Sequence, residues 1–352
     1  MNFTRHMAPL RRGALLFAAS CLATSAACAD TTTLRLSDLF PATYPFGELT
    51  TEFAKALESG TQNQLEVQVF PSGTLTKPDQ CFEGVVQGLS DMCQAVLAYT
   101  PGRFPVMRSV DLPGYPSSGQ LTTHVANDLY QAFKPDELAG VHVLYLHAHP
   151  PGVIMTTQKA VHTLDDLKGL RIRSTGVSAD VLKRLGASPV SMPITQTYDP
   201  LKRGVLDGTD GTFNNYRYYR FGEVADHTTL STDVGYVTTF AVVMNQKKWD
   251  ALPQDVQEAV TRISADYADR AGKLWDRIEN EGLRFAREHG HEFIRLAPDE
   301  AARWREAALV PVQQAYVAAM KEKGLDGEAI LAKRAALIEQ YRDQFPVLNP
   351  FE

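Results

Sequence analysis

The sequence predicts an α/β protein of two domains with one long helix lying across both. Three observations predict it. Strand-like and helix-like stretches alternate from Thr32 onward, the alternation stops at Pro150-Pro151-Gly152 and then restarts, and a helical stripe from Pro253 to His289 is longer than either domain needs. At 1.5 Å per residue that helix measures roughly 55 Å. The 352 residues, 44% hydrophobic and 22% charged, are enough to bury two cores.

The elements follow in chain order. Arg5, Arg11 and Arg12 precede an apolar run from Gly13 to Ala19, and Ala27-Cys28-Ala29 has the small-x-small pattern of a signal-peptidase site. Residues 1–29 are therefore expected to be a signal peptide cleaved after Ala29, leaving a soluble, exported, periplasmic product. Arg11-Arg12 resembles a twin-arginine signal, although its surroundings match poorly. Thr32 to Ser37 reads as a strand, Gly47 to Leu57 as a helix with Leu49, Phe53 and Leu57 on one face, and Leu65 to Phe70 as an alternating strand. A helix from Lys77 to Gln87 and a strand from Asp91 to Val96 complete a βαβαβ unit. Such a unit implies a mainly parallel sheet.

Val141 to Leu146 is a further strand, running into the Pro-Pro-Gly break. Beyond it, strands at Val153 to Thr157, Leu170 to Ser174, Pro189 to Met192 and Gly208 to Thr212, with a helix from Ser178 to Leu185, form the second unit. Val237 to Asn245 is a long apolar strand suited to a return crossing. Domain I is thus expected to hold residues 30–150 and 239–278, and domain II residues 151–238 and 279–345. Two helices, Pro298 to Lys323 and Gly327 to Arg342, close the chain.

Of the four cysteines, Cys81 and Cys93 remain after the signal is removed, in a compartment that permits disulfides. Two separately buried thiols are the favoured expectation; a disulfide is the alternative, reached if the strand returns antiparallel beside the helix.

Net charge is -6, from 35 Lys and Arg against 41 Asp and Glu, and no basic run appears in the body of the chain, so nucleic acid is not an expected partner. The chain has no G-x-S-x-G elbow, H-E-x-x-H pair, Walker loop or G-x-G-x-x-G turn, so no cofactor and no catalytic residue is expected. His142, His147 and His149 lack acidic or Cys partners at ligand spacing, and no metal is expected there either.

The informative segment is Asp165 to Gly176. Within it Leu170 and Ile172 point to one face of a strand and Arg171 and Arg173 to the other. Arg173 stands at the carboxyl end of the strand, where open α/β sheets place their ligand clefts. Its planar fork suits a carboxylate. Arg171 is expected to be a surface group in an ion pair.

These residues, with Leu34 to Pro45, Val69-Phe-Pro-Ser-Gly-Thr74, Tyr99-Thr-Pro-Gly-Arg-Phe104 and Gly204-Val-Leu-Asp-Gly-Thr209, resemble the solute-binding subunits of tripartite ATP-independent periplasmic (TRAP) transporters, of the DctP-like family. The resemblance runs over most of the chain after the signal. It implies a periplasmic binding protein clamshell, with Arg173 on the ligand carboxylate, a long helix across both domains, and membrane transporter subunits as partners. Members that bind sialic acid carry Asn where this chain has Gly211 and a second Arg where it has Ile154, which implies a simpler, more apolar ligand here.

The expected ligand is a small organic monocarboxylate, a 2-oxo or hydroxy acid with an apolar or aromatic body. The residues expected around it are Arg173, Tyr99, Phe40, Tyr198, Gly211, Thr212, Phe213, Asn214 and Tyr236. Tyr44, Asn215 and Tyr216 are further candidates. The alternatives are a receptor for a dicarboxylate or sugar acid and, in another class, a periplasmic lyase or isomerase using a Tyr and a His.

Overall fold

The computed structural model describes residues 1–2, 4, 31–231 and 234–350. The expected signal segment and its cleavage after Ala29 therefore lie almost wholly outside the described residues.

The first half runs β1 (Thr32–Asp38), α1 (Pro45–Gly60), β2 (Leu65–Phe70), α2 (Cys81–Val86), β3 (Met92–Val96), α3 (Gly119–Phe133) and β4 (Val141–Ala148). The chain then forms β5 (Val153–Thr156), α4 (Leu164–Leu167), β6 (Arg171–Arg173), α5 (Gly176–Arg184), β7 (Ser188–Val190), α6 (Tyr198–Lys202), β8 (Gly208–Gly211), α7 (Asn214–Tyr218) and β9 (His227–Leu230). It returns through β10 (Thr239–Asn245), α8 (Gln246–Asp250) and α9 (Gln254–Glu288), and ends with β11 (Glu292–Arg295), α10 (Pro298–Trp304), α11 (Val310–Glu322) and α12 (Gly327–Tyr341).

Two sheets result. The first has order β2-β1-β3-β10-β4, the second β11-β9-β5-β8-β6-β7. Each is parallel except for one strand: β10 runs against β3 and β4, and β5 against β8 and β9. The exceptions share a cause. β5 and β10 are the strands on which the chain arrives from the other sheet without an intervening α-helix, so each starts at the edge where its neighbours end. Gly152 N–H donates to Tyr236 O at 2.8 Å, tying the two crossings together.

Apolar residues clad both faces of the first sheet. Phe53 of α1 and Tyr267 and Ile278 of α9 pack on one side, and Val125 and Leu129 of α3 on the other. β10 is buried along its whole length, as its continuous apolar run requires. α9 is 35 residues long and contacts elements of both halves, among them α1, α3 and α7. α12, assigned by sequence to the second domain, packs on both: Ile330 lies with Tyr316 and Met320 of α11, whereas Leu337 and Ile338 lie with Leu121 and Val125 of α3.

The expectation of two free thiols is overturned. Cys81 and Cys93 form a disulfide, with Cα atoms 6.0 Å apart. α2 begins only at Cys81 and packs on β3, so the strand carries Cys93 back beside the helix's first residue. The alternative arrangement considered for this pair is the one the fold adopts.

Candidate functional site

The two sheets turn their strand ends toward one cleft. β1, β3 and β4 finish there at Asp38, Val96 and Ala148, and β6 and β8 at Arg173 and Gly211. Residues at or just beyond those ends, Phe40, Val96, His149, Arg173 and Thr212, line a single cavity, the position in which open α/β sheets hold ligands. Its volume is about 40 Å³, and about 410 Å³ when all the space out to its open mouth is counted, which limits an occupant to a small molecule.

Arg173 is 2% exposed. Its Nε–H donates to Met192 O at 2.9 Å, which fixes the plane of the guanidinium. The other two nitrogens make only long contacts, one to the Tyr99 hydroxyl at 3.4 Å and one to Asp210 Oδ1 at 3.5 Å. Asp210 Oδ1 accepts no hydrogen bond, while Oδ2 accepts from Ser174 and Ser178. The guanidinium therefore keeps donor capacity toward the cavity. Burial disfavours its charge, but Tyr99 and Asp210 outweigh burial and raise its pKa above the ordinary value. Burial likewise pushes the Asp210 carboxyl up, against the opposing effect of Arg173 and the two serines. Arg171, two residues earlier, is exposed and holds Asp207 with two contacts, Nε at 2.9 Å and a terminal nitrogen at 2.7 Å.

Tyr99, at the end of a short helical turn after β3, reaches from the first half to the second. Its hydroxyl accepts from Ile194 N–H at 3.0 Å as well as from Arg173. Tyr44 makes the same crossing, donating to Asn214 Oδ1 at 2.8 Å. Asn214 is held in turn from α9: its side chain donates to Glu279, which also accepts from the backbone N–H groups of Phe213 (2.8 Å) and Asn214 (3.1 Å). Burial pushes the Glu279 carboxyl up to about 7, partly offset by these donors. Gly282 lets α9 come this close, because a Cβ there would lie 2.2 Å from Phe213 O.

Beneath the cavity sits a buried aromatic group. Trp275 of α9 donates from Nε1 to His147 Nδ1 at 3.0 Å, and the ring of His147 stacks between Phe46 (4.8 Å) and Phe240 (4.7 Å). Burial drives the His147 pKa down to about 3. His142 stacks on Trp249 at 3.5 Å, on the far end of β4. His149, in the first crossing, is the one histidine of the three that lines the cavity.

Of the residues expected at the site, Arg173, Tyr99, Phe40, Thr212 and Tyr236 come together around the cavity, as do Tyr44 and Asn215. Four others do not line it. Tyr198 lies at the surface, donating to Glu223 and flanked by Arg220 and Lys202. Phe213 is core, packed near Phe293. Gly211 sits behind Asn215, and Asn214 acts from behind Tyr44. Tyr216 is also core, its hydroxyl paired with Thr228. Tyr219 and Trp275 also line the cavity without being among the expected residues, and His149 is weighed in the sequence only as a metal ligand. Position was the available signal for His149, since it directly follows β4 at a crossing.

Residues 36–319 match the family model for bacterial extracellular solute-binding proteins, family 7, named DctP. The C4-dicarboxylate-binding periplasmic protein DctP of Rhodobacter capsulatus is 29% identical over 322 residues, 89% of this chain and 93% of its own. Two solved structures share the fold closely. One is a TRAP solute-binding protein from Rhodoferax ferrireducens in complex with copurified benzoate, with a TM-score of 0.83 and 25% identity over 89% of this chain and 99% of that one. The other is a TRAP periplasmic solute-binding protein from Bordetella bronchiseptica with bound (R)- and (S)-mandelate, with a TM-score of 0.81 and 30% identity over 88% and 99%. With two sheets facing one cleft, a long helix contacting both halves and a family match over most of its length, this chain belongs to the DctP family of TRAP solute-binding proteins.

Proposed function

We propose that this receptor captures a small organic monocarboxylate, a 2-oxo or hydroxy acid with an apolar or aromatic body, by pairing its carboxylate with Arg173 and closing the two halves around it. Proteins of this family are receptors that do no chemistry on the ligand, so the lyase or isomerase alternative falls away. The observation that carries the reading is a buried guanidinium with two under-used donor nitrogens in a cavity otherwise lined by aromatic, aliphatic and uncharged polar groups. A carboxylate drawn in from water needs such a partner to offset its desolvation. Among the described residues Arg173 is the single Lys or Arg on that lining, which favours one carboxylate over two. Phe40, Tyr219, Tyr236 and Trp275 would hold the body. Both structural relatives bind aromatic monocarboxylates, benzoate in one and the 2-hydroxy acid mandelate in the other.

Residues 30–150 with 239–278 and residues 151–238 with 279–345 are the two closing bodies in this reading, Tyr44 and Tyr99 supplying contacts between them. The loaded receptor then passes its ligand to membrane subunits driven by an ion gradient, from the periplasm, after residues 1–29 are removed. A thermal-shift panel tests the ligand class. A ligand present at a hundred times its Kd adds about 2.7 kcal/mol to the folded state, a shift of a few degrees for a chain of this length. Aromatic and branched monocarboxylates are expected to give it. A shift from dicarboxylates, sugar acids or neutral sugars alone would overturn the assignment.

A further inference from the structure

His149 carries an acceptor atom that nothing among the described residues uses. Its Nδ1 lies 2.7 Å from the carbonyl oxygen of Pro150. A carbonyl only accepts, so Nδ1 must bear the proton and Nε2 must be the lone-pair nitrogen. The residue is 3% exposed and lines the cavity, yet Nε2 finds no hydrogen-bond partner among the described residues and is not sealed inside the protein. The ring is fixed edge-on to Tyr236 at 4.7 Å and to Trp275 at 5.6 Å. Burial lowers the His149 pKa to about 4, with Arg173 opposing protonation as well, so the imidazole is neutral at physiological pH.

Other polar groups on the lining do not discriminate in the same way. The hydroxyls of Thr175, Thr238 and Tyr236 either donate or accept by rotating. Asn215 has its oxygen committed to the N–H and hydroxyl of Thr212. Nε2 of His149 is locked as a pure acceptor in a cavity whose charged anchor is a donor. We infer that His149 Nε2 accepts a hydrogen bond from a hydroxyl on the ligand, and that the receptor selects 2-hydroxy monocarboxylates over the matching 2-oxo acids. A 2-oxo oxygen facing Nε2 would set lone pair against lone pair, and an unsubstituted acid would leave the nitrogen desolvated and unpaired. Arg173 and His149 line the same small cavity, so a hydroxyl on the carbon beside the carboxylate is the substituent we assign to Nε2.

This inference rests on the monocarboxylate reading above, and calorimetry at pH 7 separates the two. The probes are mandelate, phenylglyoxylate and phenylacetate, which share one body and differ only at the carbon beside the carboxylate. The purified protein is expected to bind mandelate about 10- to 100-fold more tightly than the other two. His149→Phe keeps an aromatic ring at this position and removes the acceptor. It is expected to collapse the preference for mandelate over phenylacetate to less than about threefold. Equal affinities for the three acids in the wild type, or an equal loss for all three in the variant, would overturn the role of His149 and leave the monocarboxylate reading standing. If none of the three binds, that reading fails and this one with it.

Discussion

Replacing Arg173 by alanine removes the one cation on the cavity lining among the described residues, and the effect can be worked out from what the side chain touches. Its Nε bond to Met192 O positions it, and its terminal nitrogens rest on contacts of 3.4 and 3.5 Å that a ligand carboxylate would improve upon. Without it, a bound carboxylate and Asp210 share a closed, poorly hydrated space with no counter-charge. Truncating one side of a buried, hydrogen-bonded charge pair costs about 2 to 5 kcal/mol, equivalent to roughly 30-fold to several thousandfold in Kd. The variant is also expected to melt lower, because Asp210 is left buried beside Ser174 and Ser178 alone. Adding Asp210→Asn in the same chain removes that orphaned acid, so stability is expected to recover while binding does not. Arg173→Lys is expected to bind poorly, since an ammonium cannot present two parallel donors. Arg171→Ala, whose side chain is exposed and turned onto Asp207, is expected to leave affinity within about twofold. Isothermal calorimetry on the four variants, with melting curves alongside, reads out both effects. Affinity near wild type for Arg173→Ala would refute both the site and the case for a carboxylate ligand.

Three further outcomes are expected. A thiol assay on unfolded, unreduced protein should find no free Cys81 or Cys93, and the Cys81→Ser, Cys93→Ser double variant should lose about 3 kcal/mol in urea unfolding, from the loop of 12 residues the bond closes. Asp111, buried and accepting from the N–H (2.9 Å) and hydroxyl (2.6 Å) of Thr239, has its carboxyl pushed up to about 7 by burial. Its proton is held in the folded chain and released in the unfolded one between about pH 4 and 7, so the stability it contributes is present at acid pH and lost as pH rises through 7. The stability of the wild type relative to Asp111→Asn should therefore fall between pH 5 and 8 by at most about 3 kcal/mol, and parallel pH curves would refute the assignment. Solution scattering should give a smaller radius of gyration with saturating ligand, the two crossings near Pro150 and Thr238 being the places where the halves rotate; superimposable curves would rule out closure.

Much of the fold could be read from local pattern. The helix from Pro253 to His289 appears as Gln254–Glu288 because its buried positions, Val256, Val260, Tyr267, Leu274 and Ile278 among them, repeat at helical spacing over its length. Arg173 was legible for a similar reason, as strand alternation and the carboxyl-end rule together place it. α3 was passed over, since Thr122, Thr123 and Gly119 dilute the stripe of Leu121, Val125 and Leu129. β9 and β11 are four-residue strands that pair only with distant segments, and nothing local announces them. The site itself was half legible. Whether a residue faces the cavity or stands behind it is decided by partners far away in sequence. Asn214 turns from the cavity because Glu279 and Tyr44 claim its amide, and Tyr198 stays outside because Glu223 and two cations hold its hydroxyl and ring.

The position of Trp275 gives this receptor an optical signal of its own. Among the three tryptophans of the chain it alone lines the cavity; Trp249 stacks on His142 at the far end of β4, and Trp304 is sealed in the core beside α11. An arriving aromatic or carboxylate group changes the surroundings of one indole while the other two serve as an unchanging background. Stopped-flow fluorescence on the unlabelled protein can then resolve a second-order encounter, whose rate climbs with concentration, from a first-order rearrangement, whose rate levels off. Ligand residence time, the quantity that decides how quickly cargo is handed on, becomes measurable without attaching a dye to either half.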